Sequence, residues 1–497
     1  MAAFTTRGGA DEGAGGARAR SLAVGLVGAV LMLAGGVVSG LTASSRTTWS
    51  DGDIVVARSS AERFVSVGGM LRPLLNTASG RLLPAPESGD HVALIDEAIL
   101  ARAPRGEPIG IPGAPDVLPA STSLVPTGWL ACLDGASVRT RISSTAPPTA
   151  TSATAPPAAA PDEVAVTVAV DGRAGAVQLV TGDHRYPIPA ASSPAVTQYL
   201  GQTQPPRRAS SAWVELFPAG TALAFDSFGF PPSSAPGRPT PAAVDTDDPM
   251  TTIGQLVTNL DHAAEGEQSF VVVADGTVSL TSFAASVYRA TAPADLGRAV
   301  AVTDADLARL PPSSVAGFFP PDWPAERPRA GSWAGSGVAT SGVSGGPPVE
   351  RAVCAVLDAG RGRPPVTRLR LISPPPSTAT GSGTTRTSAA PPSRPTATPI
   401  VATASNAPAV PAPEVDGDGG AVVEVGTGPD DATTVYLVDG AGRAYPIVDS
   451  PSDTLARLGY RGVVPSRLTA AWIALCPPGP VLGVAAAQSA AGSPASR

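Results

Sequence analysis

The chain has 497 residues, well above the roughly 100 to 200 of an ordinary domain, so several modules are expected. Its 54 glycines and 55 prolines, set against only 15% charged residues, exclude a coiled coil or helical bundle, and the lack of a Gly-X-Y period excludes collagen. The net charge of −7, with no long basic stripe, excludes a protein that tracks a phosphate backbone, so no nucleic-acid partner is expected.

All 34 basic residues are arginine; no lysine occurs. A Walker A loop needs its lysine to reach the outer phosphates, and Schiff-base chemistry needs an amine that can lose a proton, so both are excluded. The abundance of Ala, Gly, Pro and Arg fits a genome rich in G and C.

In chain order, residues 1–20 form a short tail containing Arg7, Arg18 and Arg20, and residues 21–43 read as a transmembrane helix. The run Leu22 to Leu41 is apolar apart from Ser39, and twenty residues at about 1.5 Å rise span about 30 Å of hydrocarbon. The arginines precede it, and Asp51 and Asp53 follow, which predicts a cytoplasmic N-terminus with the bulk of the chain outside the cell membrane. The alternative is a cleaved signal peptide, whose apolar region is normally only about 7 to 15 residues.

Residues 50–85 form a first repeat, with IVVAR, a turn at Ser59 to Glu62, RFVSV and then Leu71 to Leu74. Residues 86–142 are expected as the first part of a core domain, and 143–161 as a Pro/Ala-rich linker. Repeat 2 covers 162–230, a linker 231–249, repeat 3 covers 250–325, and another linker 326–348. The second part of the core domain is 349–372, followed by a disordered linker at 373–416 and repeat 4 at 417–490.

Repeats 2 and 4 carry the clearest internal likeness. Tyr186 falls on Tyr445, Pro187 on Pro446, Trp213 on Trp472 and Gly220 on Gly479, all at one offset of 259. Each unit reads as strand, tight turn, strand, short helix and closing apolar turn, with Thr181-Gly182 and Asp439-Gly440 in the turns. Gly182, Gly276 and Gly440 are taken as left-handed hairpin positions rather than a phosphate cradle, because no helix with G-x-G-x-x-G opens after them. Trp213 and Trp472 precede apolar turns and read as core rather than ligand platforms.

Three further stretches stand out: FVSVGGMLRPLLNTASGRLL within 54–83, PRGEPIGIPGAPDVLP at 104–119 and WLAC at 129–132. After one apolar N-terminal helix, and with repeats on both sides of a central region, they resemble the EccB family of the actinobacterial type VII secretion system. The most specific element is Gly110, Ile111, Pro112, Gly113, Ala114 and Pro115, which the resemblance assigns a structural role. The resemblance covers about Gly36 to Leu482 outside the linkers.

What the resemblance implies is an α+β, β-rich fold: a single transmembrane helix, then an elongated extracytoplasmic body of about four small repeat domains around a central core. It implies a structural subunit that assembles with its own copies, with the EccC motor ATPase, the ubiquitin-like EccD, EccE and the mycosin protease. It also implies a disulfide between Cys132 and Cys354, which export would permit. Read from the residues alone, these two are disulfide partners or buried thiols, and Cys476 reads as a small buried apolar residue.

Chemistry is sparse. His91, His184 and His262 lie far apart in no metal-ligand spacing, so no metal and no cofactor are expected. Gly342, Ser344 and Gly346 match G-x-S-x-G, but in a Gly/Ser stretch with no strand before or helix after. No catalytic set converges. Some EccB proteins are named as ATP hydrolases, so an ATP-hydrolysing component is one alternative and a cell-wall-binding module another; the expectation leans away from an enzyme.

Overall fold

A computed structural model of the chain describes residues 49–83, 92–135, 137–143, 164–172, 176–232, 235–240, 249–261, 267–331, 351–358, 364–372, 411–426 and 433–489. The expected transmembrane helix, His91, His262, Gly342, Ser344, Gly346 and most of the expected linker residues lie outside these. Among the described residues no helix is long and apolar enough to cross a membrane. The chain divides into two compact units, the first made of Met1–Leu124, Gly417–Pro465 and Pro478–Arg497, the second of Val125–Asp416 and Ser466–Pro477.

In the first unit, Met70–Pro73, Arg63–Val67, Ile54–Ala57 and Val92–Ile95 lie side by side in that order. The first three run antiparallel, and Val92–Ile95 returns parallel to Ile54–Ala57. Alternation in IVVA and VALI puts Val55, Ala57, Ala93 and Ile95 on one face, where they bury with Phe64, Leu71 and Leu100. The expected turn at Ser59 to Glu62 joins the first two strands, but the hairpin equivalent to Val177–Ile188 is the next one, turning at Gly68 and Gly69 with φ of 61° and 74°. The stretch 86–142 therefore contributes to both units, its Val92–Ile95 strand to this sheet and Trp129–Ile142 to the second unit.

The same unit has a second core, in which Ala78 and Leu82 pack with Leu437, Tyr445, Ile447, Leu455, Leu458 and Leu482. Its strands Ala421–Val425, Thr434–Val438 and Ala444–Ile447 form an antiparallel meander. The chain then returns alongside, Pro478 opposite Ala444 and Leu482 opposite Ile447.

The second unit is built on a five-stranded sheet in the order Val366–Ile372, Ala352–Asp358, Trp129–Asp134, Ser137–Ile142, Glu414–Val415. Two further sheets share the plan of the first unit's opening sheet. One is Val164–Val170, Val177–Thr181 and His184–Ile188 with Arg207–Ala209 parallel to its first strand; the other is Leu256–Asn259, Gln268–Val273 and Gly276–Leu280 with Val300–Val302 in the parallel place. They share one core, into which helix Ser282–Thr291 sends Phe283, Val287 and Tyr288.

The sequence pattern resolves the hairpins but not the strands flanking them. VAVTVAV is buried almost throughout and so has no period-2 signal, and the parallel fourth strands have only three residues in two of the sheets. Gly182 and Gly276 take positive φ, of 58° and 153°. Gly440 does not: in the longer turn Asp439 accepts hydrogen bonds from Ala441 N and Arg443 N at 3.0 and 2.9 Å, and Gly442 becomes the left-handed residue with φ of 74°.

Candidate functional site

The 110–115 element closes over the helix Thr77–Leu82. Asn76 caps that helix, accepting from Ser79 N at 3.0 Å, and the Ser79 hydroxyl donates to the same Oδ1 at 2.7 Å. The other end of the Asn76 amide donates to Ile111 O at 2.6 Å, and Ile111 N donates to Ser79 Oγ at 2.8 Å. One buried Asn–Ser pair thus satisfies both backbone groups of Ile111 and caps a helix. Gly110 sits at φ 131°, and a Cβ there would lie 2.9 Å from Ser79 Oγ, so only glycine lets the loop approach. Ile111, Ala114 and Pro115 are buried, Pro112 and Gly113 are exposed, and Pro115 O accepts from Ala78 N at 3.2 Å.

Two arginines complete the helix ends. Arg81 Nη1 donates to Leu458 O at 2.8 Å, and Arg457 Nη1 donates to Leu82 O at 3.3 Å, so Thr77–Leu82 and Pro451–Leu458 each cap the other's C-terminal end. Gly459, at φ 97°, leaves the space that Arg81 fills; a Cβ would fall 2.5 Å from its Nη1.

In the second unit, Cys132 and Cys354 stand directly opposite on antiparallel strands, Cα atoms 4.0 Å apart, and form a disulfide. Trp213 donates from Nε1 to Ala131 O at 2.9 Å, beside that bond. Trp472 donates to Thr367 Oγ1 at 2.9 Å and meets Trp129 edge to face at 6.3 Å. All three indoles are fully buried, which is a core role. Cys476 is a buried thiol.

Glu97 and Asp306, the carboxylates lowered furthest, each accept from backbone N–H groups as well as side chains. The Ser59 side chain first, then the N–H groups of Ser60 and Ser59, hold Glu97 down from 4.5 to about 2. Thr303 N–H first, then its hydroxyl and Arg309, bring Asp306 to about 2 in a capping box. His184 pairs with its neighbour Asp183 at 2.7 Å. Among the described residues no group of His, Cys, Asp or Glu could hold a metal ion. The sequence reading placed Asp439 in its turn but missed Asn76, Ser79, Arg81 and Arg457; of these four only Asn76, in LNTASG before a helix-forming run, carries a recognisable N-cap signal.

A family profile described as type VII secretion system ESX-1, transport TM domain B, matches residues 6–495. The chain is similar to the ESX-1 secretion system ATPase EccB1 of Mycobacterium tuberculosis, 28% identical over 287 residues, which cover 55% of this chain and 54% of that protein. It therefore spans about half the length of the curated relatives it matches first. Over a shorter stretch of 84 residues, covering 17% of this chain and 16% of the relative, it is 39% identical to the ESX-5 secretion system ATPase EccB5 of Mycobacterium marinum. Its fold is similar to a chain of the intact ESX-5 inner membrane complex, with a TM-score of 0.60 and 19% identity over 97% of this chain and 90% of that one. It is also similar to the EccB3 dimer from the ESX-3 core complex, with a TM-score of 0.60 and 20% identity over 88% of this chain and all of that one.

Proposed function

Because the chain belongs to the EccB family of type VII secretion proteins, we propose that it is a structural membrane subunit of such a secretion complex, supporting protein export. The observation that carries this reading is where the polar side chains are spent. Asn76, Ser79, Arg81, Arg457 and Asp439 all hold backbone groups, and no acid, base and nucleophile converge among the described residues. In this reading residues 21–43 anchor the chain as a single pass with the N-terminus in the cytoplasm, and four repeat lobes surround a core outside. Its partners are further copies and membrane subunits of the EccC, EccD and EccE kinds, with a mycosin protease.

The curated relatives are named ATPases. We read this chain as a scaffold instead, because it has no lysine to neutralise a transferred phosphate. Purified full-length protein is expected to hydrolyse no ATP above a mock preparation, and deletion of Gly417–Leu482 to abolish secretion and release the motor subunit from the complex. ATP turnover that vanishes on a point substitution in this chain would overturn the scaffold reading. A reporter active only outside the cell should work after Leu83 and fail before Ser21; a mature chain starting near Ala43 would remove the anchor.

A further inference from the structure

The disulfide of the second unit lies on the outer face of its sheet. Along Trp129–Asp134 the residues Trp129, Ala131 and Leu133 are buried, whereas Leu130 and Cys132 are part-exposed. The same alternation puts Arg139 of Ser137–Ile142 and Arg370 of Val366–Ile372 on that outer face, and both are exposed. In register, Arg139, Cys132, Cys354 and Arg370 form one rung across the sheet.

The two sulfurs are not equivalent. Cys132 is open to solvent on one side, while Cys354 is fully buried, so a thiol reagent meets Cys132 first and displaces Cys354. Arg139 is held by Asp134 at 2.9 Å, but Arg370, opposite Cys354, has no carboxylate partner among the described residues. A neighbouring cation lowers the pKa of a departing thiol, and exchange is faster when the leaving thiol is more acidic.

The strands do not need the bond to stay paired. Ala355 stands opposite Ala131 and Val356 opposite Leu130, and Val353, Ala355 and Leu357 are buried on the inner face. Opening the bond therefore leaves two thiols in register. What is lost is the closure of a loop of 222 residues, which stabilises through the unfolded chain.

We propose that Cys132–Cys354 is an exchangeable disulfide, opened in the folded protein by a dithiol reductant that enters at Cys132, and reclosed by an oxidised dithiol. A thiolate of the reductant bonds to Cys132 Sγ as the Cys132–Cys354 bond breaks, and the electron pair leaves on Cys354 Sγ. The second thiolate of the reductant then bonds to the first sulfur of the reductant and releases the Cys132 thiolate. The two protons given up by the dithiol pass to the two cysteines, so the protein disulfide is reduced and the dithiol oxidised. The redox state then sets the stability of the second unit without changing its fold. The inference rests on the geometry of that unit and stands apart from the scaffold reading.

The test treats the full chain in detergent with dithiothreitol well below its melting temperature, then alkylates and maps the thiols. Both cysteines should become alkylated while the far-UV circular dichroism stays native, at a rate that is flat across urea concentrations below the unfolding transition. The melting temperature should fall towards that of the double-serine variant and recover when oxidised dithiothreitol is supplied. Cys132 in C354S should capture an aromatic disulfide probe about tenfold or more faster than Cys354 in C132S. R370Q should slow opening about threefold at an unchanged melting temperature. Opening that accelerates with urea as global unfolding does, equal capture by the two single variants, or loss of native dichroism on reduction overturns the proposal.

Discussion

The hairpins Val177–Ile188 and Thr434–Ile447 answer one structural problem in two ways. Both carry a buried Tyr followed by Pro, and both are closed by a returning segment: Gly220 N donates to Arg185 O at 2.8 Å and Leu223 N to Pro187 O at 2.8 Å, while Gly479 N donates to Ala444 O at 2.7 Å and Leu482 N to Pro446 O at 2.8 Å. In each an arginine of the second strand or its turn donates to the carbonyl just before the return, Arg185 to Phe217 O and Arg443 to Pro478 O. The tyrosine hydroxyls part company. Tyr186 donates to Asp322 O, 136 residues away, at 2.5 Å; Tyr445 donates to Asp439 Oδ2 in its own turn at 2.9 Å. One hairpin is pinned to a distant loop and the other supplies its own anchor, so equal backbone frames leave the buried hydroxyl free to specify long-range or local order.

The largest effect falls on Trp213 and Trp472, both of the second unit, through the sheet they lean on. Trp213 and Trp472 donate to Ala131 and Thr367 of the sheet that carries the disulfide. Replacing both cysteines with serine opens a loop of 222 residues, and chain entropy sets an upper loss of about 5 kcal/mol. Thermal unfolding should show the melting temperature falling more than for any single substitution below, with both indole fluorescence signals shifting together. A signal from Trp472 that stays fixed would separate it from the shared platform.

Trp213→Ala or Trp472→Ala should each cost about 3–5 kcal/mol, since a fully buried indole leaves a cavity and an unmet acceptor. Gly220→Ala and Gly479→Ala are expected to cost about 1–3 kcal/mol each by overpacking. The added Cβ would lie 2.5 Å from Tyr186 Cε1 or 2.3 Å from Tyr445 Cδ1, and those rings are only 3% exposed and cannot swing away. Denaturant unfolding of the two variants tests whether the frames are equivalent; a loss in only one would break the likeness.

Those four positions were legible because their residue types are unlike and recur at one spacing. Strands beyond the hairpins were hidden by short length or by burial on both faces, as in Val164–Val170. The 110–115 element was recognisable as a motif, yet its mechanism was not: Asn76 and Ser79 lie more than 30 residues upstream, and local pattern carries no record of which distant carbonyl an amide will meet. The Arg81 and Arg457 caps, separated by over 370 residues from their acceptors, are hidden for the same reason. Cys132 and Cys354 illustrate the opposite limit, where family likeness named a pair that spacing alone could not.

The smallest effects test the hydroxyls. Tyr186→Phe leaves a backbone carbonyl short of a donor, while Tyr445→Phe withdraws a donor from a buried carboxylate, so the second should cost more, about 1.5–3 against about 1 kcal/mol. Tyr445 adds a pH signature. Burial first, then the hydrogen bond to Asp439, pushes its phenol well above the usual 10. A raised folded-state value means the native protein holds its proton more tightly than the unfolded chain, so this contribution is complete below pH 10 and is lost as pH rises past it. Tyr288 and Tyr460, raised by burial, lose stability in the same alkaline window. Tyr445→Phe should therefore flatten the fall in melting temperature above pH 10 without removing it. An alkaline profile identical to wild type would mean that burial and Asp439 together do not hold the Tyr445 phenol above its ordinary value, and the local anchor would lose this support.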